Sequence, residues 1–260
     1  MKQRLPTNLV WLLTGALGPT GCAVYMPMQC AAPAVQDQHQ TEVTASAYFN
    51  SRLNAGVNYS PVRHLVVRAA ADGKQDKNDS TYYRSGQYEV AVGTYWPLGK
   101  RMLVGALGGA GRARSQARYS ISSASNYYGY RGSTQHEFDA RYNKFFGEAY
   151  AAVQFSPGFS AGAAYRLTQV QFVGLTDLGQ PLDLRHMLRG ESMFFVRSAF
   201  GSGPRGERPL YAQLGFGGSR LLSPRGPGQQ VGSPEAEVLQ GRGYFTLGLG
   251  FFPHALSRNP

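Results

Sequence analysis

The strongest constraint on the fold of this 260-residue chain is an alternation of apolar residues with polar or small ones that recurs after residue 40. From 245 to 251, apolar side chains occupy the odd positions, and threonine or glycine occupies the even ones. The same period of two appears in 41–50, 53–59 and 86–96. Such a period places alternate side chains on opposite faces of a β-strand, so the pattern predicts a protein built from half-buried strands.

The connections between these segments also follow a pattern. Tight turns that contain proline or glycine, such as 60–63, 97–100 and 156–158, alternate with long polar segments, except at the first connection. Short turns at one end and long loops at the other are typical of a transmembrane β-barrel, whose short turns lie in the periplasm. We therefore predict an all-β fold, a ten-stranded antiparallel up-and-down transmembrane β-barrel. Its strands are expected at about 41–50, 53–60, 64–71, 86–96, 102–118, 136–155, 159–173, 189–200, 210–221 and 241–252.

Composition indicates which face of each strand meets an apolar environment. Charged residues make up 16% of the chain, whereas about 25–35% of a soluble domain's surface is charged. The rows opposite the apolar ones hold mainly Gly, Ala, Ser, Thr, Asn and Gln, which suit the crowded interior of a narrow barrel. We therefore predict that the apolar rows face lipid outside the barrel. The alternative is a soluble, lipocalin-like barrel in which the same rows surround a ligand.

One segment changes the parity of its polar row. In 136–155, polar residues occupy odd positions from 137 to 143 and even positions from 148 to 154. We predict a β-bulge near 144–146, because one extra residue exchanges the two faces of a strand. The alternative is that the upper part of this strand projects beyond the membrane, where alternation is not required.

The N-terminal region predicts export. Lys2 and Arg4 precede a short apolar run at 9–17, which is too short to cross a bilayer as a helix and is typical of a signal peptide. The residues from 30 to 40 show no apolar period. We assign 1–21 as the signal peptide, 22–40 as a lipidated periplasmic tether, 41–252 as the β-barrel and 253–260 as a C-terminal tail.

Cys22 follows the small residues of "GALGPTGC" and resembles the acylated cysteine of a bacterial lipoprotein signal. The alternative is ordinary signal cleavage nearby, which would leave Cys22 and Cys30 as thiols or as a pair. The segments Tyr25-Met26-Pro27, "YWPLGK" (95–100) and "YNKFF" (142–146), and a last strand that ends in Phe251-Phe252, are similar to those of the outer-membrane β-barrel lipoproteins of Gram-negative bacteria. This resemblance implies a monomer in the outer membrane, with its N-terminus on the periplasmic side. It implies outer-membrane lipids and the barrel-assembly and lipoprotein-sorting machineries as partners. It implies no particular activity.

The charge and the cysteine and histidine content exclude several classes of function. The formal net charge is +11, but the arginines are spread along the chain without a Lys/Arg-rich stretch, so we predict no nucleic-acid binding. The two cysteines form no CxxC pair and the five histidines lie far apart. We therefore predict no metal site and no cofactor.

Charged residues on the polar rows form the candidate site. They predict either an arginine-lined passage for small anions or a lumen closed by ion pairs, since unpaired charges in a narrow lumen are costly. We favour the closed lumen, because a ten-stranded barrel is barely wider than the eight-stranded barrels that side chains fill. The predicted lumen charge network contains Glu42, Arg68, Glu89, Arg112, Arg114, Arg118, Glu137, Asp139, Arg141, Glu148, Arg166, Glu191, Arg197 and Arg242.

No catalytic motif stands out. A GxSxG sequence is absent, and the acidic residues beside His136 and His186 form no diagnostic set. We predict that the protein is not an enzyme and has a structural or surface-interaction role in the outer membrane. The alternatives are a narrow pore for small solutes, with anions among the candidates, and a soluble, lipocalin-like, lipid-tethered carrier.

Overall fold

The computed structural model describes residues 24–78, 81–124, 131–203, 208–224 and 233–256. The predicted signal peptide and Cys22 lie outside the described residues. Within these ranges, no helix combines the length and the apolar character needed to cross a membrane.

Ten long strands and one very short one account for most of the described chain. Each long strand begins within a few residues of the position that the alternation predicts. Several strands are longer than predicted. The strands are β1 (Thr41–Tyr48), β2 (Leu53–Tyr59), β3 (Leu65–Lys77), β4 (Tyr82–Leu98), β5 (Met102–Ala124), β6 (Arg131–Ser156), β7 (Phe159–Asp177), the two-residue β8 (Gln180–Pro181), β9 (His186–Phe200), β10 (Leu210–Leu221) and β11 (Arg242–Phe251). A short helix, α1 (Pro234–Leu239), precedes β11, and a 3₁₀ turn (Pro253–Leu256) follows it.

The ten long strands close into a barrel. Each pairs antiparallel with the next long strand along the chain. The first strand then pairs with the last, with Val43 opposite Phe251 and Ala47 opposite Leu247. This closure satisfies the backbone groups of both end strands and leaves no open edge. The predicted ten-stranded antiparallel up-and-down β-barrel is therefore confirmed.

The wall of the barrel is uneven in height. β5 has 23 residues and β6 has 26, whereas β1 has 8 and β2 has 7. The polar sequence that follows the predicted strands 64–71 and 102–118 continues as paired strand to Lys77 and Ala124. The prediction placed these ends too early because it followed apolar alternation, whereas hydrogen bonds between strands also form where both faces are polar.

The apolar rows face outward, as predicted. The side chains of Leu247 and Leu249 are 55% and 57% exposed, whereas the side chain of Thr246, on the opposite face of the same strand, is fully buried. The exposed apolar side chains form a band around the outer wall, and we call it the outer apolar band. It includes Val57, Val67, Val90, Val92, Phe145, Leu167, Phe194, Val196, Leu214, Leu247 and Leu249.

The predicted bulge in β6 is wrong. Even-numbered residues of β6 point inward throughout 136–150, so this strand keeps its parity. The bulge lies on the neighbouring strand, where Val173 is the extra residue between the pairs Arg141–Gly174 and Tyr142–Phe172. The polar residues at odd positions of β6 face outward on its upper part, which agrees with the alternative that this part projects above the apolar zone.

Residues 24–35 run through the inside of the barrel, and we call them the lumen segment. Val24 and Tyr25 lie in one apolar cluster with Leu184 and with Val238 of α1, at the end of the barrel that carries the long connections. Val35 lies in a second cluster nearer the short turns. The chain then enters β1 at the short-turn end.

This path places residues 24–35, which were assigned to a periplasmic tether, inside the barrel instead. The sequence of the lumen segment lacks alternation because it pairs with no strand and is surrounded by the wall on all sides. Its direction also matters for topology: Val24 lies at the long-connection end. The prediction of a periplasmic N-terminus and the prediction of long connections outside the cell would therefore place Val24 on opposite sides of the membrane, so they cannot both hold.

Candidate functional site

Four buried charges span the lumen. Glu89 accepts hydrogen bonds from Lys144 Nζ at 2.6 Å and from Arg166 Nη1 at 3.0 Å, and Arg166 Nη2 lies 2.7 Å from Glu148 Oε2. These side chains are at most 3% exposed. They come from β4, β6 and β7, so the bonds cross the barrel interior as well as joining neighbouring strands. Two cations and two carboxylates neutralise one another, which is the condition for retaining charges away from water.

Carboxylates of the wall bind the backbone of the lumen segment. Glu148 Oε1 accepts the N–H of Ala31 at 2.8 Å and the N–H of Ala32 at 3.1 Å. Glu42 Oε2 accepts the N–H of Ala34 at 3.0 Å. A segment without a strand partner has backbone donors that need acceptors when they are buried, and the wall supplies charged ones.

Arginines of the wall bind the carbonyl groups of the same segment. Arg52 Nη2 donates to the carbonyl of Pro27 at 2.7 Å, and Arg197 Nη2 donates to the carbonyl of Ala32 at 2.6 Å. Arg52 also pairs with Asp72 at 3.2 Å, and its guanidinium lies 3.6 Å from the centre of the Tyr48 ring. The lumen segment is thus held from both sides along its length.

Polar side chains complete the contacts. The Tyr25 hydroxyl donates to Glu191 Oε1, and Glu191 Oε2 accepts from Thr168 Oγ1 at 3.2 Å. The N–H of Gln29 donates to the Tyr48 hydroxyl at 2.6 Å. Near the short-turn end, Arg68 binds Asn58, and Asn58 in turn donates to Glu42. These networks fill much of the lumen with hydrogen-bonded polar groups, although some buried polar atoms, such as Arg68 Nε and the Tyr150 hydroxyl, have no hydrogen-bond partner among the described residues.

The structure separates the predicted lumen charges into two sets. Those on the inner face are Glu42, Arg68, Glu89, Glu148, Arg166, Glu191, Arg197 and Arg242. Those on the outer face of β5 and β6 are Arg112, Arg114, Arg118, Glu137, Asp139 and Arg141. The second set was misplaced because water outside the barrel and a polar lumen select the same residue types.

The outer set forms pairs across two neighbouring strands. Arg114 Nη2 lies 3.1 Å from Asp139 Oδ2, and Arg118 Nη2 lies 2.8 Å from Glu137 Oε2. All four side chains are at least 36% exposed, so each pair contributes only about 0–1 kcal/mol to stability. These residues do not belong to the lumen site.

Several lumen residues were missed by the sequence analysis. Lys144, Arg52, Asp72 and Arg189 are all buried in the interior. The signal for Lys144 was its position in mid-strand, on the row that also holds Glu148. Arg52 and Asp72 lie outside the predicted strands, in a turn and a loop, so strand alternation could not place their side chains inside the barrel.

The His136–Asp177 pair is the arrangement nearest to a catalytic dyad. His136 Nδ1 lies 2.7 Å from Asp177 Oδ2, and both side chains are nearly buried. The imidazole stacks on Phe138 and contacts the ring of Tyr119. In the described residues, no group of three or more His, Cys, Asp or Glu side chains is arranged to hold a metal ion.

Comparison with known proteins identifies no family. No family model and no curated protein match the chain. Among solved structures, it is similar to the translocator domain of the autotransporter NalP from Neisseria meningitidis, with 10% identity, 82% of this chain and 86% of that chain covered, and a TM-score of 0.43. It is also similar to the outer-membrane protease OmpT from Escherichia coli (9% identity, 82% and 90% covered, TM-score 0.43). A third similar structure is the N-terminal β-barrel domain of Pseudomonas aeruginosa OprF (10% identity, 84% and 99% covered, TM-score 0.33).

Proposed function

We propose that this chain is an integral outer-membrane β-barrel lipoprotein with a closed lumen, and that its role is structural or interactive rather than catalytic. The observation that carries the proposal is the occupied interior. The lumen segment passes between the two ends of the barrel, and wall carboxylates and arginines bind its backbone. A lumen filled in this way by the described residues is expected to block the passage of solutes.

The outer apolar band supports a membrane location. Val90, Val92 and Phe194 are each more than half exposed, which would be unfavourable in water over a surface of this extent. Aromatic side chains such as Phe155 and Phe159 lie at the short-turn border of the band, where membrane barrels carry an aromatic girdle. The apolar exterior and charged interior are the reverse of what a soluble lipocalin-like carrier requires.

The connections support a proposal for the orientation. Long connections of bacterial barrels lie outside the cell, which would put Val24 near the outer surface. Cys22 precedes Val24 by two residues, a reach of about 7 Å for an extended chain. We therefore propose that acylation of Cys22 anchors the chain at the long-connection end, rather than on the periplasmic leaflet. Outer-membrane lipids and the assembly and sorting machineries are the proposed partners, and the barrel is a monomer.

The absence of turnover is also a proposal. Its support is the burial of His136 and Asp177 beneath aromatic rings, since a general base needs access to a substrate proton. The neighbouring described residues supply no serine or cysteine hydrogen-bonded to this imidazole.

Conductance in planar bilayers tests the closed lumen. We expect the full chain to insert silently and a variant lacking residues 24–35 to open steps of conductance. The Asp183→Asn variant, in which the changed side chain is 96% exposed, is the matched control and should be as silent as the parent. Open channels from the full chain would contradict the proposal and favour the pore alternative.

The pore alternative has one specific observation in its favour. A cavity of about 160 Å³ opens at the short-turn end, and its lining includes Lys100, Arg101 and Arg197 but no carboxylate. Such a vestibule would favour anions if the lumen segment left the barrel. Anion selectivity of the deletion variant, measured by reversal potential, is the outcome that this vestibule predicts.

A further inference from the structure

We propose that the outer wall at β4, β5 and β6 binds the phosphate-bearing headgroup of an anionic membrane lipid through Arg112, Arg114 and Arg141. The inference rests on the proposed membrane location, and it adds a binding site that the closed lumen does not require. We call the surface around these three arginines the outer arginine patch.

The first observation is the crowding of like charge on one face. Arg114 of β5 lies directly opposite Arg141 of β6 in the strand register, and Arg112 is two residues along the same outward row. Like charges opposite each other in a sheet are destabilising. A fold that brings these guanidinium groups together gains from an anion that can lie between them.

The second observation is that acidic residues of the wall do not neutralise the outer arginine patch. Asp139 Oδ2 accepts from Arg114 at 3.1 Å, and it also accepts from Gln116 at 2.8 Å. Arg112 donates through Nε to Asn143, an uncharged partner, at 3.1 Å. Among the described residues, Asp139 is the one carboxylate shown to pair with these three guanidinium groups, so the patch keeps a net positive charge.

The third observation is the shape of the surface. The arginines border a concave region of about 400 Å³ that Gly86, Tyr88, Asn143 and Val173 also line. Gly86 lies opposite Arg114, and a Cβ placed on Gly86 would meet open space. Val173 is the bulged residue of β7 and is 71% exposed. The missing side chain and the bulge leave room beside the guanidinium groups.

The fourth observation is the height of the outer arginine patch on the wall. Along the outward row of β4, Tyr88, Val90 and Val92 follow Gly86 toward the short turns, and each is more than half exposed. The patch therefore lies at the upper border of the outer apolar band, the level at which lipid headgroups begin. A tyrosine at this level is typical of a membrane interface.

These features select an amphiphile rather than a free ion. Guanidinium groups bind phosphate in a planar, bidentate manner, and the apolar row directly below offers a surface for acyl chains. The lipid belongs to the leaflet at the long-connection end. Its headgroup carries net negative charge, because a zwitterionic headgroup would leave the excess positive charge of the patch unbalanced.

Lipid retention measured by native mass spectrometry tests the site. The detergent-purified full chain is titrated with dioleoyl phosphatidic acid, and separately with dioleoyl phosphatidylcholine and with inorganic phosphate. We expect phosphatidic acid to bind at least tenfold more tightly than phosphatidylcholine. We expect the triple variant Arg112→Gln, Arg114→Gln, Arg141→Gln to lose at least tenfold in this affinity.

Arg185→Gln is the matched control, since the Arg185 side chain is 83% exposed in the connection that precedes β9. It removes one positive charge elsewhere, against three in the triple variant, and should change the affinity less than twofold. Equal losses in the triple variant and in the control would overturn the proposal, because they would reflect net charge alone. Inorganic phosphate binding as tightly as phosphatidic acid would overturn it as well.

The membrane location is tested by a different readout on membranes that contain the same variants. Each variant is examined for faster migration on gels without heating and for resistance to carbonate extraction. If the triple variant folds, stays in the membrane and keeps its affinity for phosphatidic acid, the arginine site is contradicted and the membrane location is not. If carbonate extracts the parent chain, the membrane location is contradicted, and with it the lipid site that rests on that location.

Discussion

Glu148 joins the wall of the barrel to the chain inside it. One of its oxygens lies 2.7 Å from Nη2 of Arg166, and the other accepts backbone N–H groups of the lumen segment, that of Ala31 at 2.8 Å. The carboxylate is therefore shared between the ion-pair network and the occupant of the lumen. A disturbance at Glu148 affects both.

Replacing Glu148 with alanine should strongly destabilise the barrel. The change leaves Arg166 with Glu89 as its remaining acidic partner and removes the acceptor of two buried N–H groups. Removal of one member of a buried ion pair costs about 3–5 kcal/mol. Guanidinium unfolding followed by tryptophan fluorescence measures the difference. Asp183→Asn serves as the exposed control and should stay within about 0.5 kcal/mol of the parent; a Glu148→Ala variant equally close to the parent would contradict this role.

Arg52 and Asp72 should show strong coupling in a double-mutant cycle. Their side chains are at most 1% exposed and lie 3.2 Å apart. We expect Arg52→Met and Asp72→Asn each to destabilise the barrel by about 3–5 kcal/mol, because each leaves a buried charge without its partner. The double variant should be less destabilised than the sum of the two, by at least about 1 kcal/mol. Strict additivity of the unfolding free energies would show that the pair does not interact.

Cys30 should be protected from thiol reagents while the lumen segment is in place. Its side chain is buried at 1% exposure, inside the cluster that includes Tyr48 and Tyr95. In a Cys22→Ser background, we expect a maleimide reagent to modify Cys30 only after denaturation. The Glu148→Ala variant should be modified faster under native conditions, because its lumen segment has lost two hydrogen bonds. Rapid labelling of the folded parent would contradict an occupied lumen.

A glycine on the inner face of β11 is required by its aromatic neighbour. A Cβ on Gly250 would lie about 2.0 Å from the ring of Tyr211, which is opposite it on β10. We expect Gly250→Ala to cost about 1–3 kcal/mol, since overpacking forces side chains and backbone to shift. Gly147→Ala is the control, because a Cβ there has no atom within 4 Å. Thermal unfolding midpoints of the two variants compare them, and a midpoint for Gly250→Ala that matches Gly147→Ala would refute the steric argument.

The barrel itself could be predicted from the sequence because its apolar rows follow a simple geometric rule. Leu247 and Leu249 alternate with small or polar residues, and turns that contain proline or glycine separate the strands. Alternation stops being informative where both faces of a strand are polar. For that reason Arg112 and Arg114 were assigned to the interior, although they lie on the outer wall.

The lumen segment could not be predicted in the same way. It makes no paired strand, and its contacts depend on side chains distant in sequence, such as Glu148 for the backbone of Ala31. Small residues in this part of the chain suited a flexible tether as well as a narrow interior. Only the three-dimensional closure of the wall decides between these interpretations.

The unequal strand lengths have a consequence for the surrounding bilayer. β1 has 8 residues, which corresponds to about 26 Å along the strand and about 19 Å along the membrane normal at a 45° tilt. The hydrocarbon core is about 30 Å thick. At the proposed membrane location, lipids beside β1 and β2 would therefore shorten or tilt their chains to match the wall, while those beside β5 and β6 would not need to. Such hydrophobic mismatch would make one side of the barrel a locally thinned and more deformable region of membrane.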